Sequence, residues 1–319
     1  MSPAFAPEDL AVDRGLAEIS QSFRFLLDLS PVNAEEARDR FLGSADDEPA
    51  FEYRALEDDP AVLRAELEAV DIESVSDHTL AHFVQAKRRE LELQIEMLAC
   101  RCTADFRGLS IELFGTVSPA LLEQAEEILV AVDRPAPQDG ACLDAEAFAR
   151  LAEAELDHYR AIEPDLSAHV EIRSDSSGVM VADGDLLIAP STRVTPTRAT
   201  ALLHHEIGTH ILTYVNGCHQ PLRLLAAGLA GYEETQEGLA LLAEHLSGGF
   251  TPSRLRQIAA RVVAVHRMVD GASFRCVHDE LVAAGFSPPR AFRITMRVFR
   301  SGGLTKDLVY LRGLVALVA

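Results

Sequence analysis

No apolar run in this 319-residue chain approaches the roughly 20 residues that a membrane-spanning helix needs. The opening segment, MSPAFAPEDLAVDRG, lacks the basic head and apolar centre of a secretory leader, so no leader is expected. Cysteine is sparse: Cys100, Cys102, Cys142, Cys218 and Cys276 are odd in number and scattered. Cys100 and Cys102 have no second pair with which to complete a structural zinc site. The expectation is free, buried thiols in a reducing compartment, and hence a cytoplasmic protein. Positive charge is also scarce, with 29 Lys and Arg against 50 Asp and Glu and a net charge of -21. Such a field repels nucleic acid and anionic membrane surfaces, which excludes both as partners. The few lysines beside many alanines and arginines fit a bacterial, GC-rich source. The shortage of cations does not extend to residues 285–319, where Arg290, Arg293, Arg297, Arg300, Lys306 and Arg312 face one acid, Asp307.

At 48% apolar, the chain can bury one large core or two modest ones. Residues 7–29, 34–43, 76–104 and 144–161 carry helical periodicity, and Ser118-Pro119 opens a further helix. The acidic stretch 44–60 has no period and reads as a loop. The texture changes near residue 168. His169 to Arg173 alternates like a strand, and Gly178–Val181 and Leu186–Ile188 flank an Asp183-Gly184 turn typical of a hairpin. After residue 195 helices return. Thr195-Pro196 caps one that should run to about residue 215, where Asn216-Gly217 gives a stop. The expected class is α+β: a helical N-terminal region over 1–167 and a catalytic region over 168–319, without a linker between them and with a small, mainly antiparallel sheet.

The chemistry concentrates in His204-His205-Glu206-Ile207-Gly208-Thr209-His210. Hydrolytic zinc sites take three protein ligands, leave one position for water and place a free carboxylate nearby as base. Two histidines four apart share one face of an α-helix, but His205 and His210 are five apart. On an ideal helix they diverge; one π-type turn brings them together. Gly208, which has no side chain to obstruct such a turn, places the expected widening at about 206–210. His204 fits the shared face worse and reads as an outer-shell or packing residue. A third ligand should come from the next helix, where periodicity leaves Glu233, Glu234, Glu237 and Glu244 all open.

HEIGTH, then NGCHQPLRLLAAGLAGYEETQEGLALLAEHL, then TMRVFRSGGLTKDLVYLRGL together resemble the QEGLA-motif proteins, also labelled flavohemoglobin expression-modulating proteins. That family includes the microtubule-associated tyrosine carboxypeptidases of animals. The likeness is good over roughly residues 170–315 and weak over the N-terminal helices. It implies a zincin-like metallopeptidase with Zn2+ held by His205, His210 and Glu237, with Glu206 as general base. It also implies a sheet edge beside the metal helix, and the hairpin at 178–190 is the candidate. The chain ends at Arg312–Ala319 within an apolar pattern, where family members often continue.

For the developing oxyanion the donors to consider are Tyr310, His219, His266 and His278; Tyr310 is favoured because it lies in the GGLTKDLVYLRG segment. A carboxypeptidase also needs a cation for the substrate's terminal carboxylate, and Arg297, Arg300 or Lys306 could lie over the cleft. The expected function is removal of C-terminal residues, such as tyrosine, from a peptide or protein. Other readings are a zinc endopeptidase or aminopeptidase on the same scaffold, or a non-catalytic metal-binding regulatory protein.

Overall fold

The computed structural model describes residues 5–44, 48–134, 142–174, 178–182 and 184–319. Side-chain caps set several helix starts. Ser118 Oγ accepts from the Leu121 amide and Thr195 Oγ1 from the Arg198 amide, each at 3.3 Å, and each cap is followed by proline. The first half comprises α1 (Pro7–Ser22), α2 (Phe25–Asp28), α3 (Ala34–Gly43), α4 (Pro60–Ala69), α5 (His78–Ala99), α6 (Phe106–Phe114), α7 (Pro119–Ala131) and α8 (Ala145–Arg160). The strands are β1 (Leu143–Asp144), β2 (Val170–Ile172), β3 (Val179–Ala182), β4 (Asp185–Ile188) and β5 (Arg193–Val194). Then come α9 (Pro196–Leu202), a π-helical stretch Leu203–Ile211, α10 (Leu212–Cys218), α11 (Leu224–Ala227) and α12 (Tyr232–Leu246). The last helices are α13 (Pro252–Val269), α14 (Phe274–Ala283), α15 (Pro288–Phe299) and α16 (Val309–Val318). The class is α+β and mostly helical. Among the described residues no helix is long and apolar enough to cross a membrane.

The expected hairpin is β3 and β4, paired antiparallel from Val179↔Ile188 to Ala182↔Asp185. Asp183 lies outside the described residues. Gly184 takes φ +84, and a Cβ there would fall 2.7 Å from the Tyr214 ring, so the turn and the packing both require glycine. Strand β2 joins the other side of β4 in parallel, leaving β3 as an edge. β1 and β5 form a separate antiparallel pair.

One core joins α8, β4 and the π-helical stretch through Phe148, Leu156, Leu186, Ile188, Ile207 and Ile211. A larger one draws on both halves of the chain, with Leu29, Met97 and Phe106 beside Val262, Val298 and Leu308. Between α12 and α16 the backbones nearly touch. A Cβ on Gly313 would lie 2.0 Å from the Glu234 carbonyl oxygen, and one on Gly238 would lie 2.6 Å from the Gly313 carbonyl carbon.

Some local expectations need correction. The helix expected over 7–29 breaks, because Phe23 leaves α1 in extended backbone and packs against two cores. The pattern over 76–104 ends as α5 at Ala99. Gly217 does not end its helix. It lies inside α10, where a Cβ would strike the Leu225 carbonyl oxygen at 2.3 Å, so its role is close approach to α11. The thiols are not buried: Cys102, Cys142 and Cys276 are exposed, while Cys100 and Cys218 are half-buried.

The glycine crossing yields a stability prediction. Gly313→Ala should destabilise by at least about 1–3 kcal/mol, because backbone must move to admit the methyl group. Gly108→Ala, in an exposed helical position with nothing within 4 Å of the added carbon, should be neutral or stabilising by about 0.5–1 kcal/mol. Urea unfolding of both variants tests the contrast.

Candidate metal centre

The five-residue spacing of His205 and His210 is accommodated as their sequence suggested, by a π-helix over Leu203–Ile211. The imidazole centroids lie 5.1 Å apart with planes inclined at 62°. The wide turn loosens carbonyl pairing, and Thr209 Oγ1 donates to the His204 carbonyl oxygen, five residues back, at 3.1 Å. Gly208 is less constrained than its position suggests. A Cβ there would meet His204 and Tyr159 only at ordinary contact distances. The π-helix therefore rests more on its side-chain partners than on the absence of a side chain at 208.

Those partners come from α12. His210 Nδ1 lies 2.8 Å from Gln236 Oε1, and with the proton on Nδ1 it donates to that amide oxygen. His205 Nδ1 lies 2.8 Å from Glu244 Oε1, an ion-pair contact rather than an aligned hydrogen bond. Both rings therefore turn Nε2 inward, where Glu237 Oε2 stands 3.5 Å from His205 and 3.7 Å from His210. Glu237 Oε1 accepts from Lys306 Nζ at 3.0 Å, whereas Oε2 is buried without a hydrogen-bond partner. Ligand atoms of His205, His210 and Glu237 all lie within 4.8 Å of one another, and Glu206 Oε1 is 4.0 Å from His205 Nε2. Two inward-facing imidazole nitrogens and one carboxylate oxygen without a hydrogen-bond partner suit a divalent cation such as zinc.

The electrostatics follow from burial and neighbours. Burial opposes charge on His205, yet the carboxylates of Glu206, Glu237 and Glu244 outweigh it and push its pKa up to about 9. Burial likewise opposes charge on Glu237, but Lys306 and the two histidines hold it well below the usual carboxylate range. Glu244 has no exposed surface and is held low, against its burial, by Arg254, His205 and Arg198. Arg254 grips it with Nε and a terminal nitrogen at 3.1 and 2.9 Å, and Arg198 adds a third donor.

A cavity of about 550 Å³ opens over these groups. Glu206, Tyr310, Arg297, Arg300 and Lys306 all line it, together with the edge strand β3. Three cations surround the buried Tyr310 ring: Arg261 Cζ at 4.9 Å, Lys306 Nζ at 5.5 Å and Arg297 Cζ at 6.0 Å from its centroid. Arg297 holds Asp307 through two bonds of 2.7 Å. Of the other oxyanion candidates, His266 pairs with Asp270 and His278 with Asp279, while His219 is exposed; none of the three lines the cavity. His204 also lies off the cavity, near Gly208 and Tyr159. Sequence reasoning missed Gln236 as a partner of His210 and Arg198 and Arg254 as partners of Glu244. Glu244 was legible as a residue seven positions, two helical turns, beyond Glu237 on the same face.

Over residues 39–319 the chain matches the family model described as microtubule-associated tyrosine carboxypeptidase. No curated protein matches it. Among solved structures it is similar to one from Colwellia psychrerythraea labelled as a lipoprotein, at 13% identity and a TM-score of 0.48. That likeness covers 81% of this chain and 59% of the other, so this chain spans less than two thirds of that structure's length.

The ion pairs lining the cavity have a consequence for pH. Burial would raise the pKa of Asp307, but Arg297 and Arg261 hold it far below its ordinary value of 3.8. Its stabilisation is therefore complete above the ordinary carboxylate pKa and is lost as pH falls below it. Asp307→Asn should cost about 3–5 kcal/mol at neutral pH, because it strands Arg297 without its partner, and should flatten the acid limb. Urea unfolding across a pH series reads both effects.

Proposed function

We propose a function from the premise that this chain belongs to the microtubule-associated tyrosine carboxypeptidase family. Membership supports reading it as a peptidase of carboxypeptidase type. The finer reading is a zinc-dependent enzyme of zincin-like arrangement, in which residues 168–319 carry the reacting groups and 1–167 supply part of the cleft wall. The observation that carries this reading is Glu237 Oε2, buried, without a hydrogen-bond partner, and facing two Nε2 atoms with Glu206 alongside. Cys100, Cys102, Cys218 and Cys276 carry no disulfide, which agrees with a cytoplasmic setting, although the exposure of Cys102 and Cys276 leaves them open to oxidation.

His205, His210 and Glu237 would hold the ion, which would supply a Lewis acid and lower the pKa of a water in its open position. Glu206 Oε1 takes the proton of the attacking water and returns it to the nitrogen of the leaving amine. One water and one amide thus become a carboxylate and an amine. The Tyr310 hydroxyl donates to the carbonyl oxygen as negative charge gathers there. An extended peptide adds alongside β3, whose outer edge has no strand partner among the described residues. Gln236 and Glu244 fix which nitrogen of each imidazole faces the cavity, a task they perform before any substrate arrives. The substrate is a peptide or protein C-terminus.

Metal analysis should find zinc in the wild type and in Glu206→Gln, and little in His205→Ala, His210→Ala or Glu237→Ala. Glu206→Gln should lower kcat by about 10²–10⁴-fold on peptides with a free C-terminus. Tyr310→Phe should lower kcat by about 10²–10³-fold with KM little changed. C-terminal amidation should abolish cleavage; cleavage of amidated peptides at full rate would instead mark an endopeptidase or aminopeptidase. Zinc bound with no hydrolysis of any peptide would leave a regulatory metal protein.

A further inference from the structure

Three of the cations that line the cavity differ in one respect. Arg297 is spent on Asp307, and Lys306 on Glu237. Arg300 is only 5% exposed, yet no carboxylate of the described residues pairs with it. Among the described residues its side chain makes one hydrogen bond, from a terminal nitrogen to the neutral Ser30 Oγ at 2.7 Å, and its Nε is buried without a hydrogen-bond partner. A buried guanidinium normally brings its own anion with it, because leaving water costs several kcal/mol that a hydroxyl cannot offset. Here burial and the charge of Arg297 push the Arg300 pKa down to about 10, and Asp307 only partly resists.

The backbone at this point is also strained. Ser301, the next residue, sits at φ +59, a left-handed conformation that non-glycine residues rarely adopt. It is held there from three sides. Its amide donates to the Tyr53 hydroxyl at 2.7 Å, its Oγ donates to the Leu29 carbonyl at 3.1 Å, and its carbonyl accepts from the Cys102 amide at 2.8 Å. Cys102 is itself at φ +67. Strain that several tethers maintain is expected where a side chain must be presented in one direction. The residue so presented is the unpaired Arg300.

We infer that Arg300, rather than Arg297 or Lys306, receives the terminal carboxylate of the substrate in this cavity. The inference rests on the carboxypeptidase reading for its choice of anion, but not for the existence of an anion site. A carboxylate arriving at Arg300 meets a planar donor group that lines the cavity, is largely desolvated and is held by Ser30. Arg297 keeps the role of holding Asp307, and Lys306 that of keeping Glu237 charged and one of its oxygens occupied.

Equilibrium binding of N-acetylphenylalanine and of its amide, measured by calorimetry on the full-length chain, tests this without any turnover. The wild type should prefer the free acid by at least tenfold. Arg300→Met should lose that preference while keeping zinc content and raising or preserving Tm, since no ion pair is broken. A structural arginine would behave in the opposite way, with a lower Tm and an unchanged preference for the acid, and that result overturns the inference. If Arg300→Met does not fold, Arg300→Gln, which keeps a donor for Ser30, carries the same readings. A wild type that binds acid and amide equally also overturns it. Arg300-dependent acid binding in a zinc-loaded protein that hydrolyses nothing would sink the peptidase reading and leave the anion site standing. Hydrolysis with a KM for free-acid peptides unmoved in Arg300→Gln would do the reverse.

Discussion

The pairing of the π-helix with α12 is the contact on which the centre depends. An imidazole has two nitrogens, and only the tautomer and the ring rotation decide which one is offered. Here α12 settles both choices twice, with an amide oxygen behind His210 and a carboxylate behind His205. The same helix then places Glu237 between the two inward nitrogens. Three positions on one helix face thus act on two positions of another, and the wide turn is the geometry in which all five meet. The backing groups differ in kind. Gln236 is neutral and half-buried, while Glu244 is an anion without exposed surface that two guanidinium groups hold in place.

The neighbouring helix α16 reaches this assembly only through missing side chains. Gly238 follows Glu237 directly, and Gly313 lies where α16 crosses it. The approach carries Tyr310 and Lys306 to the cavity wall. The Gly in Glu237-Gly238 is thus a packing requirement of the helix crossing. That position also explains why the carboxylate beside it is buried while Glu233 and Glu234, one turn earlier, keep part of their surface in water.

Some of this was legible in the sequence, for identifiable reasons. The five-residue interval between His205 and His210 has few backbone solutions, so the widened turn followed from arithmetic. Caps such as Thr195 act within four residues and need no tertiary knowledge. The third member of the histidine and carboxylate cluster was different: helical periodicity left four glutamates open, and only a family resemblance singled out Glu237. The exposure of the thiols was misjudged because burial is decided by which helix face meets a neighbour. Gly217 was misread for the same reason, since its meaning lies in α11 and not in its own helix. Arg300 looked like one member of a basic stripe. Its difference from Arg297 depends on where Asp307 and Ser30 come to lie, which no local pattern encodes.

The strap around Arg300 and Ser301 has a bearing on the order in which the molecule is made. Its anchors, Leu29 and Ser30, precede it by 272 and 270 residues. Asp13 likewise receives the amides of Arg223 and Leu224, more than 200 residues away. Contacts of such sequence separation close late, because a long loop must lose its entropy before any contact rewards it. On a ribosome the first helices leave the exit tunnel long before α15 and α16 exist, so one wall of the cleft must wait for the other. A cavity walled in this way by early and late segments has no shape until the chain can close on itself.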